Sequence, residues 1–169
     1  MSQRNPAQVL LDEHRLIEMF LDRMEEALSR LDADAAVLET VEQVLHFHGH
    51  FTEACHHQKE ESALFPMLRR KGLSETARML LDDHHSNHEQ LLALEQMLPA
   101  ARQRDPEALG FLLREGRMYI HLTREHIRQE DETLFVLAAE MLDEEESAQM
   151  EALLSDARWE PGAIHMPPT

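Results

Sequence analysis

His56-His57-Gln58-Lys59-Glu60-Glu61-Ser62-Ala63-Leu64-Phe65 and His126-Ile127-Arg128-Gln129-Glu130-Asp131-Glu132-Thr133-Leu134-Phe135 share one pattern, His-x3-Glu-x3-Leu-Phe. Residues four apart on a helix lie on one face, a turn from each other. Each copy therefore sets an imidazole and a carboxylate side by side. Counting about 100° per residue, Leu45, Gly49, Thr52, Glu60 and Met67 fall within about 40° of His56. Tyr119, Leu122, Glu130 and Leu137 share the face of His126 in the same way. By this count both pairs face a core, His57 and Glu61 are rotated by one residue, and His121 looks outward.

Working outward, helical spacing continues along the chain. A first helix covers roughly residues 6 to 31, with Pro6 suited to its first turn. A second runs from about 35 to 70, capped by Asp34, bent near Gly49 and disturbed at Pro66, and closed by Arg69-Arg70-Lys71-Gly72. A third starts at Ser74 as its cap and runs to about 102, with Pro99 breaking its last turn. Asp105-Pro106 opens a fourth, to about 142, and Asp143 opens a short fifth. The expected fold is all-α, an up-down-up-down four-helix bundle over residues 1–158 with a short fifth helix, followed by an extended tail over 159–169.

Composition agrees. Five glycines and 5% aromatics in 169 residues are a poor basis for a sheet. Lys+Arg total 16 against Asp+Glu 33, and a net charge of −17 repels nucleic-acid backbones and anionic membranes. One cysteine leaves no intramolecular disulfide and no cysteine metal cluster. No signal-peptide pattern and no long apolar run occur, so a cytoplasmic protein is expected. The unusual residue is histidine, with 12.

Sorted by face, the inward set is His14 on the first helix, His56 and Glu60 on the second, His84 and His88 on the third, and His126 and Glu130 on the fourth. Unpaired, these groups would be costly in an apolar core, and a pair of metal ions removes that cost. Nitrogen-rich ligation with carboxylate bridges suits iron, with manganese or zinc as alternatives. The bland reading is exposed helical pairs, because His-x3-Glu also occurs at His14/Glu18, His57/Glu61, His85/Glu89 and His121/Glu125. The extended echo and the apolar faces favour the metal reading. Glu18 is expected to hydrogen-bond a ligand or to stand in for one, and Tyr119 reads first as a core residue with a polar tip and second as a hydrogen-bonding group behind the ligands. His46, His48 and His50 read as a solvated face, and Cys55 as a small buried residue.

The segment Cys55-His56-His57-Gln58-Lys59-Glu60-Glu61 with Leu64-Phe65-Pro66 resembles the signature of the hemerythrin-like (HHE cation-binding) family. So do Asp12-Glu13-His14-Arg15-Leu16-Ile17-Glu18, Asp82-Asp83-His84, and His126-Ile127-Arg128-Gln129-Glu130 with Leu134-Phe135. The resemblance implies a four-helix bundle around two non-haem iron ions. It implies Glu60 and Glu130 as bridges, His84, His88 and His126 on one iron, and His14 and His56 on the other, with a position open to a small ligand. The chain departs from the oxygen carriers in its four-residue His126/Glu130 step, where they have a five-residue step to aspartate. The expected function is therefore a di-iron protein that binds or reacts with oxygen, nitric oxide or hydrogen peroxide, with reactivity favoured over reversible carriage. The alternative is an iron-handling or sensor module without turnover. No flavin or haem motif for electron delivery is present in the chain.

Overall fold

A computed structural model describes residues 5–31 and 35–156, and every element among them is helical. Asp34 and the tail from Trp159 lie outside the described residues. Helix α1 is Gln8–Ser29. The second rod is wound in four pieces: α2 (Ala35–Phe47), π1 (His48–His57), π2 (Glu60–Leu64) and α3 (Phe65–Arg70). The third is α4 (Ser74–Arg102). The fourth joins α5 (Pro106–Gln129), π3 (Glu130–Leu134) and α6 (Phe135–Met141), and the short α7 is Glu144–Leu154. The first rod packs on the second and fourth, and the third packs on the same two. None of these helices is long and apolar enough to cross a membrane.

Local chemistry sets several of the boundaries. Asp105 caps α5 by accepting from the Ala108 N–H at 2.8 Å, with Pro106 in the first turn. Asp143 and Glu146 form a reciprocal capping box on α7. Gly72 adopts φ 85° just past the second rod, a left-handed stop that a side chain would strain. Two expectations are corrected. Ser74 is the first helical residue of α4 rather than its cap, which is Leu73 with no side-chain bond. Pro99 does not break α4, which runs on to Arg102. Its missing N–H removes one ladder bond near the helix end, while Leu98 and Ala101 stay buried and hold that turn on the core.

The main departure from the sequence reading is the wide winding of π1, π2 and π3. Helices with i→i+5 bonds turn through roughly 80° per residue rather than about 100°. Phe51 and Gly49 change places as a result. At the α-helical count Phe51 sits about 140° from His56 and Gly49 shares its face. Instead Phe51 is buried, stacked on Phe47 at 5.1 Å, and Gly49 is only half-buried. The winding of π2 and π3 repeats the sequence echo, since each runs from the glutamate of the motif to its leucine. Pro66, which lacks the N–H an α-helical ladder would need, directly follows the wide turn of π2.

Two apolar clusters fill the interior. The larger includes Ile17, Leu21, Phe51, Leu91, Ile120 and Ile127, and the smaller Leu10, Leu64, Leu80, Leu134 and Phe135. Along every rod the motif histidine falls between the two: His14 between Leu10 and Ile17, His56 between Phe51 and Leu64, His84 between Leu80 and Leu91, His126 between Ile120 and Leu134. A polar layer is thus closed above and below by hydrocarbon. Gly116 lets α1 and α5 approach within the larger cluster, where an added Cβ would lie 2.7 Å from Leu28.

His48 corrects another expectation. His46 and His50 are exposed, but His48 is fully buried, with Nδ1 3.0 Å from the Thr52 hydroxyl and its ring edge-on to Tyr119 at 5.3 Å. Burial pushes its pKa down to about 3. A group depressed on folding contributes stability above its unfolded pKa and withdraws it as pH falls toward the folded value. Between pH 6.5 and 5 the metal-free wild type should therefore lose about 2 kcal/mol more than His48→Leu. Urea titrations at the two pH values measure this, and parallel losses would contradict it.

Candidate metal centre

Four histidines meet in the polar layer with their Nε2 atoms turned inward. His14 and His56 place these nitrogens 3.0 Å apart, and His84 and His126 place theirs 3.2 Å apart. Two fully buried carboxylates lie between the pairs. Glu60 Oε1 is 3.3 Å from His56 Nε2, and its Oε2 is 3.2 Å from His84 Nε2. Glu130 Oε2 stands 3.3 Å from His14 Nε2 and 3.4 Å from His126 Nε2. Each carboxylate therefore touches both imidazole pairs.

The fifth imidazole is His57. It stacks on His84 with ring centroids 3.8 Å apart and stands edge-on to His126 at 5.9 Å. Two sets of converging donor atoms result: His57, Glu60, His84 and His126, and His14, His56, Glu60 and Glu130. Glu60 belongs to both.

The outward nitrogens follow a two-fold pattern. His56 Nδ1 donates to Glu13 at 2.9 Å, and Asp83 stands 3.6 Å from His126 Nδ1. Glu13 and Asp83 each precede the histidine of their own rod. His14 Nδ1 donates to Asp131 at 2.6 Å, and His84 Nδ1 donates to Glu61 at 2.8 Å. Asp131 and Glu61 each follow the motif glutamate. A carboxylate behind an imidazole fixes its tautomer and turns the other nitrogen toward the centre.

The electrostatics describe a site that wants positive charge. Burial opposes charge on His14, yet its hydrogen bond to Asp131 and the Glu130 carboxylate beside it push its pKa up to about 10. His84 likewise reaches about 10 through Glu60 and Glu61 despite burial. Glu60, although buried, is held well below the usual carboxylate range by His56 and His84. His57 is the exception: burial, then the neighbouring His84, drives it well below its ordinary value. It is a neutral imidazole with a lone pair to give.

The donor set fits metal ions. All four oxygens of Glu60 and Glu130 are buried without a hydrogen-bond partner, a costly condition for carboxylates. Donors about 2.1 Å from one ion and at right angles lie about 3.0 Å apart. The nitrogen–nitrogen and nitrogen–oxygen separations of 3.0 to 3.4 Å match that requirement.

Six of the seven residues expected from the sequence come together here: His14, His56, Glu60, His84, His126 and Glu130. His88 does not. Its side chain is 54% exposed, with Nδ1 bonded to Glu53, because the buried stripe of α4 runs from Leu80 through His84, Asn87 and Leu91, and His88 falls beyond its edge. Glu18 pairs with Arg124 on α5 at 3.2 Å rather than backing a ligand. Tyr119 is buried in the larger apolar cluster beside His48. His57 was missed because the inward face was centred on His56. Centred on Glu60, the two histidines lie about 40° to one side and about 60° to the other, so one points toward α1 and the other toward α4.

Comparison with curated proteins finds no match. The family model of the hemerythrin HHE cation binding domain matches residues 5–138, a stretch that holds every residue of the buried centre, and the chain belongs to that family.

Proposed function

We propose that the centre holds two iron ions and that the protein binds or reacts with a small ligand: oxygen, nitric oxide or hydrogen peroxide. The observation that carries this reading is the sharing of Glu60 and Glu130 between two imidazole pairs. One ion needs no such sharing. His57, His84 and His126 would hold one iron, His14 and His56 the other, with the two glutamates between them, inside an up-down-up-down four-helix bundle. Iron bound there supplies a coordination position and one-electron redox chemistry for the small ligand.

The chain's own residues do the rest. Glu13, Asp131 and Glu61 hold the rings in place through Nδ1. The apolar clusters above and below exclude bulk water. The inequality of three imidazoles against two leaves the poorer side for the ligand. An iron-handling or sensing role without turnover uses the same centre.

Elemental analysis of protein loaded anaerobically with ferrous iron should give about two irons per chain. His57→Ala should lose one of them, while His88→Ala should keep both. A nitric oxide adduct, seen in the optical spectrum of the ferrous protein, supports the ligand reading. At most one iron in the wild type, or unchanged iron in His57→Ala, would overturn the assignment.

A further inference from the structure

Among the described residues, a groove reaches one side of the buried centre. It has a volume of about 380 Å³ and runs between the second rod and α4, lined among others by Gly49, Glu53, His57, Glu61, His84 and His88. His57 and His84 form its inner end and are more than nine-tenths buried. Glu53 and His88 form its outer end. The Glu53 carboxylate takes a hydrogen bond from His88 Nδ1 through Oε2, while its Oε1 is buried with no partner. The backs of His56 and His14 are closed by Glu13 with Lys59 and by Asp131.

We propose that His88 and Glu53 form an outer cation station, where a divalent metal ion first binds before it passes along the groove to the buried centre. The proposal rests on the centre being a metal site. An imidazole and a carboxylate, one on each wall, suit ferrous, manganous or zinc ions. The ion takes the place of the proton that His88 and Glu53 share, and that proton leaves to water. Among the described residues no lysine or arginine lines the groove, and Glu53 and Glu61 give it negative character. Within a chain of net charge −17 such a cleft concentrates cations. His88 lies one turn along α4 from His84, so the helix itself carries a donor from the surface to the interior. Gly49 keeps the wall low beside Glu95, whose Oε1 would lie 3.9 Å from an added Cβ. A hydrated ion can therefore exchange water for protein donors stepwise.

The test is the rate of metal uptake by the metal-free full chain. Cobalt(II) is mixed in a stopped-flow instrument with wild type, His88→Ala, Glu53→Gln and His46→Ala, and its visible absorbance is followed. Metal content after desalting gives the end point. His88→Ala and Glu53→Gln should fill at least about tenfold more slowly, because the cleft loses its focusing charge and first donors. Both should still reach the wild-type metal content. His46→Ala, altered at an exposed position on the second rod, should fill at the wild-type rate. Uptake by both groove variants as fast as wild type overturns the proposal, and so does a lower final content, which would make His88 a ligand of the centre. A wild type that retains no cobalt overturns the metal reading itself.

Discussion

Glu60→Ala should empty both metal positions at once. Its two oxygens face different imidazole pairs, at 3.3 Å from His56 and 3.2 Å from His84. Removing it would take a donor from each of the two proposed ions and leave Glu130 alone between the imidazole pairs to balance their shared charge. Outer partners of metal ligands already cost about 10- to 100-fold in affinity when removed, so losing a shared ligand should exceed about 100-fold. Metal content after dialysis against a mild chelator should fall close to zero, with the helical circular dichroism of the metal-free wild type retained. Glu130→Ala should act in the same direction. Wild-type iron in Glu60→Ala would sink the bridging role.

Metal removal should lower the melting temperature by about 10 °C. A ligand present at about 1,000 times its dissociation constant stabilises the folded state by about 4 kcal/mol. For a chain of this size each kcal/mol shifts the midpoint by about 2 to 4 °C. The structural ground is the polar layer itself: without ions, two buried carboxylates and their imidazoles interrupt what is otherwise continuous apolar packing. Calorimetry of loaded and chelated protein measures the difference. Glu60→Ala should show no shift on chelation. A chelated wild type that melts within about 2 °C of the loaded form would mean that the metal adds little to folding.

The helices were legible because their stops and starts are local chemistry. Asp105-Pro106, Asp143 and Gly72 act within a few residues of themselves, and the structure places helix ends at all three. The family likeness was legible because the metal chemistry repeats at fixed spacing. Two things were not. The wide winding of π1 opens with no side-chain cap to mark it, so a fixed angle per residue misplaced Phe51 and Gly49. Which of His84's neighbours joins it was non-local. His88 follows it by one turn on α4, but the imidazole against its ring belongs to His57 on another rod. Glu13, Glu61, Asp83 and Asp131 were visible as residues beside the ligands. Only the packing of rods against one another shows that they serve the rings of neighbouring rods.

The two-fold pattern behind the rings makes the centre a joint product of both hairpins. The first two rods supply Glu13-His14 and His56-x3-Glu60-Glu61, and the next two supply Asp83-His84 and His126-x3-Glu130-Asp131. Within each hairpin the acid before the odd-rod histidine stands behind the even-rod one, and the acid after the glutamate reaches across to the other hairpin. Neither hairpin completes the arrangement alone, and two identical hairpins would. Where the first copy has His57, the second has Ile127. That difference makes the two halves unequal, giving one side of the centre a fifth imidazole with a groove beside it.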